Sequence, residues 1–168
     1  CPRGFIIEFM TYLIVIKIGL CGFTMSWYLS KHFRSKEPGV AVFGILYALC
    51  GYMAAYSWNI MWLDCLWLAP LILWGLERLI QEGKGFFYCI TLGLCILSNY
   101  YISIMVCIFL VLYFIASLLM LPTKQSDGIL SEEGEAALAR KRTGYIKPVL
   151  RFVLYSLLAG GLAACILI

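Results

Sequence analysis

The sequence predicts an all-α protein, a polytopic transmembrane bundle of about six spans. Three observations lead there. Hydrophobic residues make up 63% of the chain and charged residues only 13%, against about 25% charged residues in soluble domains. The mean hydropathy is +0.92. The apolar residues also fall in long runs, and a helix needs about 20 such residues to cross a bilayer. At 168 residues, a bundle of this kind leaves no length for a sizeable soluble domain, so 1–168 reads as one transmembrane domain.

The first run, Phe5 to Leu29, is long enough to cross and ends at Lys31, His32, Arg34 and Lys36. The second, about Gly39 to Tyr56, carries Gly44, Ala48, Gly51 and Ala55 at helical spacing, a small-residue face against which another helix can pack closely. After Ser57 to Asn59, a third span runs from about Ile60 to Ile80 and ends among Glu77, Arg78, Glu82 and Lys84.

Phe86 to Leu121 is too long for one ordinary span and is interrupted by Ser98, Asn99, Tyr100 and Tyr101. Two helices joined by a tight turn are expected, the first of them short; a single long, tilted or broken helix is the alternative. Pro122 to Pro148 is polar and reads as a connecting loop. A short surface helix over Ser131 to Arg142 is compatible with its order of cap, acids and bases. Val149 begins the sixth span. The chain opens on Cys1 and stops at Ile168 inside an apolar run, so it reads as a fragment of a longer protein.

Lys and Arg collect in 30–38, 81–85 and 122–148, and none lies in 57–59 or 98–101. The positive-inside rule therefore places the first three segments in the cytoplasm and the other two outside. This topology puts Asp64 near the outer leaflet.

Several chemistries have little footing. The eight cysteines show no Cys-x-x-Cys and no Cys/His pair at metal-ligand spacing. His32 is the single histidine, which leaves a His-based triad or a zinc site without its partners. The bilayer is the expected surrounding, and nucleic acid is not an expected partner.

Asp64 stands among Trp58, Trp62 and Trp67. One reading is an interfacial acid that caps or snorkels in the first turn of its helix; the other is functional, because ionisable residues within spans generally are. Lys17 lies twelve residues into the first span, which places it near the bilayer centre, where a charge costs about 2.5 to 3.5 kcal/mol. It calls for a partner, either an acid on another helix or an anionic ligand. Glu8 falls on the opposite face of the same helix and does not serve. Asn59 and Asn99 are amides at the outer level, beside Trp62, Tyr100 and Tyr101. Amides, aromatic faces and an acid together suit a sugar, although each aromatic alone also fits an interfacial belt.

The wording of the chain carries a resemblance. Lys17-Ile18-Gly19-Leu20-Cys21-Gly22, Tyr47-Ala48-Leu49-Cys50-Gly51-Tyr52 and Asn59-Ile60-Met61-Trp62-Leu63-Asp64 come first; Pro70-Leu71, Gly75-Leu76-Glu77-Arg78-Leu79-Ile80 and Asn99-Tyr100-Tyr101 follow. In this order they resemble the YfhO family of bacterial polytopic membrane proteins over roughly Lys17 to Leu121.

The resemblance implies a protein similar to the GT-C glycosyltransferases, in the bacterial plasma membrane. Such enzymes move a sugar from a polyprenyl-phosphate carrier to an acceptor on the extracytoplasmic side, here a cell-wall polymer of the teichoic-acid type. Their principal acid lies in the first outer loop, which would precede Cys1, so the fragment alone is expected to be inactive. For Asp64 the resemblance implies an accessory role: orienting the acceptor, helping to hold a divalent metal, or positioning the donor phosphate through that metal. Lys17, Asn59, Trp62, Asn99, Tyr100 and Tyr101 become the candidate substrate-binding residues. A transporter or lipid-carrier flippase, and a non-catalytic membrane scaffold, are the alternatives.

Overall fold

The computed structural model describes the backbone of residues 3–34, 37–120 and 134–167. Its elements are α1 (Arg3–Phe33), α2 (Pro38–Ala48), α3 (Gly51–Tyr56), α4 (Ile60–Glu82), α5 (Phe86–Ser98), α6 (Tyr100–Met120) and α7 (Gly134–Leu167). Five stretches are long and apolar enough to cross a membrane: Phe5–Phe33, Pro38–Tyr56 (α2 and α3 together), Ile60–Glu82, Tyr100–Leu119 and Lys147–Ala164. α5 is a shorter apolar helix. The chain is therefore the expected all-α polytopic bundle.

Helix α4 sits at the centre, packed against α1, α5, α6 and α7. Its buried residues Cys65, Leu68, Ile72, Leu76 and Leu79 recur every three or four positions and form one stripe. That stripe packs with Tyr88, Leu92 and Cys95 of α5, Leu110 and Phe114 of α6, and Phe152 and Ala159 of α7. A second cluster, Cys21, Met53 and Leu63, joins α1, α3 and α4. Most other large apolar side chains face outward, as they do where the surroundings are lipid.

Close contacts fix the helix crossings. A Cβ on Gly75 would lie 2.9 Å from the Tyr88 Cα, so α4 and α5 touch backbone to backbone. A Cβ on Gly44 would collide with Ser26 and with the Gly22 carbonyl, which places α2 directly on α1. Without a hydrophobic difference between helix and lipid, such small-residue contacts supply the packing.

Helix α4 contains Pro70, which has no N–H to give the carbonyl one turn before it. That carbonyl belongs to Leu66, and the Tyr47 hydroxyl of α2 donates to it at 2.8 Å. The neighbouring helix thus satisfies a group that lipid cannot.

Three boundaries differ from the sequence expectation. The first span continues past Leu29 to Phe33, because nothing breaks the helix there and Lys31 and His32 suit its C-terminal turn. The second span is broken, with Leu49 ending α2 and an extended Cys50 starting α3. The break splits the small-residue face: Gly44 and Ala48 meet α1, while Gly51 faces open space and Ala55 is exposed. Phe86 to Met120 forms the two expected helices, the first of them short, separated at an extended Asn99. Residues 134–148 are helical and continue through Pro148 into the last span, rather than forming a connecting loop. Glu135 to Arg142 is rich in alanine and in order of acid before base, both of which favour helix. Ser131 and the remainder of 121–133 lie outside the described residues.

Candidate functional site

The interface of α1 with α4 carries an ionisable cluster near each end. At one end the Lys17 ammonium sits 2.7 Å from Asp64 Oδ1, with side chains 17% and 29% exposed. Lys17 also donates to the Ile60 carbonyl at 3.1 Å, and the Trp67 indole N–H reaches the same Asp64 oxygen at 3.2 Å. Both donors hold Oδ1, so among the described residues Oδ2 has no hydrogen-bond partner. The carboxylate is fixed through one oxygen and free at the other.

Lys17 lies level with the opening turn of α4, on a helix that at 31 residues is about 46 Å long. Of the two partners anticipated for Lys17, the acid on another helix is the one present.

The same end of α4 carries an aromatic series. Tyr52 and Tyr56 of α3 have ring centroids 5.0 Å apart, and Tyr56 and Trp62 are 5.3 Å apart. The short turn from Tyr56 to Ile60 brings these rings together: Asn59 N–H donates to the Tyr56 carbonyl, and Trp62 N–H donates to that of Asn59. Asn59 stands at the N-cap of α4, but its side chain makes no capping bond and stays available.

The other predicted residues have different surroundings. The Asn99 carboxamide accepts from the Ile102 N–H at 3.1 Å, capping the first turn of α6. Its own carbonyl accepts from the Ser103 hydroxyl at 2.7 Å and lies 3.9 Å from Cys65 Sγ, which places this turn at the Asp64 end of the bundle. Tyr100 and Tyr101 are exposed. Among the described residues, no hydrogen bond or ring contact joins Asn99, Tyr100 or Tyr101 to Asp64. The structure brings Lys17 and Asp64 together, keeps Asn59 and Trp62 adjacent, and leaves the α5–α6 turn as a separate group.

At the opposite end of α4, Glu77 is the residue that sequence reasoning passed over. Its Oε1 accepts from the hydroxyls of Tyr28 and Tyr113, each at 2.7 Å, and the His32 Nδ1 lies 2.8 Å away. These partners come from α1 and α6, so one carboxylate ties three helices together. Trp27 meets Trp74 edge to face at 4.8 Å, and the Arg78 guanidinium lies 4.9 Å from the Trp74 ring centre. The available signal was spacing: Tyr28 and His32 are four residues apart, on one face of a helix aimed at an acid.

A cavity of about 190 Å³ lies elsewhere, between α5, α6 and α7, lined by Ile96, Tyr100, Ser103, Ile104, Cys107, Gly160 and Ala164. Its buried hydroxyl, Ser103, is already engaged by the Cys95 and Asn99 carbonyls. It is an apolar gap rather than a polar binding site. No group of three or more His, Cys, Asp or Glu side chains converges among the described residues, so these residues do not by themselves form a metal centre around Asp64.

Helices long and apolar enough to cross a membrane several times, with charged side chains paired near the ends of one interface, define a multi-pass membrane protein. The sequence matches the family described as Bacterial membrane protein YfhO over residues 1–168, and the chain belongs to that family. No curated protein and no solved structure matches it.

Proposed function

We propose that this chain is part of a membrane-embedded, glycosyltransferase-like protein. It transfers a sugar from a polyprenyl-phosphate carrier to a cell-wall polymer of the teichoic-acid type, on the extracytoplasmic side of the bacterial plasma membrane. The observation that supports this most is the Lys17–Asp64 pair at 2.7 Å, which among the described residues leaves Asp64 Oδ2 without a partner, at the end of α4 that also carries the Tyr52–Tyr56–Trp62 series. A held carboxylate with one open oxygen accepts a sugar or acceptor hydroxyl, and ring faces stack on the apolar side of a sugar. The Asn59 amide adds a donor and an acceptor at the same end.

In the reaction, an acceptor hydroxyl oxygen forms a bond to the anomeric carbon as the bond to the carrier phosphate breaks; the hydroxyl proton passes to the principal carboxylate of the full-length protein, and the phosphate leaves with the electron pair. Asp64 acts in an accessory role by orienting the acceptor hydroxyl. Lys17 fixes Asp64 and presents its remaining N–H toward the departing phosphate. Tyr100 and Tyr101 form an exposed aromatic rim at the same end.

A transport reading would need a polar route between Asp64 and Glu77. The α1–α4 interface between them holds the fully buried Cys21 and the Trp27–Trp74 pair, which counts against it.

The test is to express the full-length parent, with and without Asp64→Ala, in a strain lacking the endogenous protein and to measure sugar on the wall polymer. Loss of the sugar with the variant still in the membrane is expected. Wild-type glycosylation would remove Asp64 from the site.

A further inference from the structure

The end of the bundle that carries Glu77 holds three cations around one turn. Gly83 ends α4 with φ of +75°, and the Arg151 guanidinium of α7 lies so close that a Cβ on Gly83 would collide with its Nη1. Two residues on, the Tyr155 ring presses on Gly85 in the same way. Lys147, Arg151 and Tyr155 follow at i, i+4 and i+8 along α7, one helical stripe of which Arg151 and Tyr155 meet the Gly83–Gly85 turn. Lys84 lies between the two glycines and is exposed.

Among the described residues the charges here are unbalanced. Glu82 is the acid on the turn, and it is shared by Arg78 at 2.9 Å and Lys84 at 3.4 Å. Among the described residues, Arg151 and Lys147 have neither an acidic partner nor a hydrogen bond. Arg151 does face the C-terminal end of α4, where a cation is favoured, and among the described residues its N–H groups make no hydrogen bond. A guanidinium fork with open donors fits a phosphate in a way that a point charge does not.

We propose that Lys84, Lys147 and Arg151 form a binding site for the phosphate headgroup of an anionic phospholipid. Two features select a lipid over free phosphate. Lys147 and Arg151 stand at the very start of the apolar span Lys147–Ala164, the depth at which headgroups lie. The adjoining side chains Phe86, Leu150 and Leu154 are strongly exposed and apolar, so a molecule with its phosphate on Arg151 has its acyl chains laid along them. Basic pockets at the polar edge of transmembrane helices bind anionic headgroups by this combination of charge and depth.

The experiment is native mass spectrometry of the purified protein with phosphatidylglycerol or phosphatidylcholine, joined to thermal unfolding in the same lipids. Phosphatidylglycerol is expected to be retained and to raise the unfolding temperature, and phosphatidylcholine to do neither. Arg151→Ala and Lys147→Ala are each expected to weaken phosphatidylglycerol binding about fivefold, while Lys31→Ala, at the same end on α1, leaves it unchanged. Lys147 is exposed, so Lys147→Ala keeps the test decisive even where loss of Arg151 disturbs the fold. Equal retention of the two lipids, an equal loss in Lys31→Ala, or displacement of the lipid by inorganic phosphate would each overturn the proposal.

Discussion

The Tyr47 hydroxyl donates to the Leu66 carbonyl at 2.8 Å, the one carbonyl that Pro70 leaves without a helical donor. A proline inside a span is thereby made tolerable by a tyrosine on another helix. Tyr47→Phe is expected to destabilise the protein by about 1 to 3 kcal/mol, the cost of leaving a buried acceptor unmade. Pro70→Ala restores the missing N–H, so Tyr47→Phe should cost much less in that background. Unfolding of the two single variants and the double variant in detergent checks this; equal costs in both backgrounds would show that the bond does not compensate for the proline.

Glu77 joins α1, α4 and α6 through Tyr28, His32 and Tyr113. Glu77→Ala leaves these groups without their acceptor and is expected to cost about 3 kcal/mol or more. Glu77→Gln keeps one acceptor oxygen and should fall between that variant and the parent. The measurement is thermal unfolding, with proteolysis of α1 as a second readout, since α1 loses the most contacts.

Gly75 has no room for a side chain against Tyr88. Gly75→Ala is expected to cost about 1 to 3 kcal/mol by overpacking, whereas Gly19→Ala, where a Cβ meets nothing, should be close to neutral. Unfolding of the two variants side by side separates a packing effect from a general response to changes in glycine.

Lys17 and Asp64 form a pair that is only partly exposed. Each alanine substitution alone strands the other charge, so the double variant should be more stable than the sum of the single losses, with a coupling of about 0.5 to 3 kcal/mol. A double-mutant cycle by thermal unfolding measures it. Additive losses would mean that the pair does not act as a unit.

Much of the architecture was legible in the sequence because membrane helices must satisfy their own backbone, which leaves long apolar runs and short polar breaks. The interruption at Asn99 was visible from four polar or aromatic residues in a row. The break at Leu49–Cys50 was not, because Leu49, Cys50 and Gly51 are as apolar as their surroundings, and hydropathy does not register a change of backbone direction. Asp64 stood out by its charge. Asn99 also stood out, yet its amide is used to cap α6, a local use that a residue type alone does not reveal.

What the sequence by itself determined is the class of the protein: composition and run length require an α-helical membrane bundle, and the ordered motifs point to its family. Tertiary structure alone decided which charges meet. Lys17 and Asp64 are 47 positions apart, and His32 and Glu77 are 45 apart, and neither separation follows from any helical period. Both pairs exist because α1 and α4 cross the bundle in the same direction with their faces in contact. Apolar packing of Cys21 with Leu63 lies in the same α1–α4 contact. Charge announces that a partner is needed within the membrane, and only helix packing supplies which one.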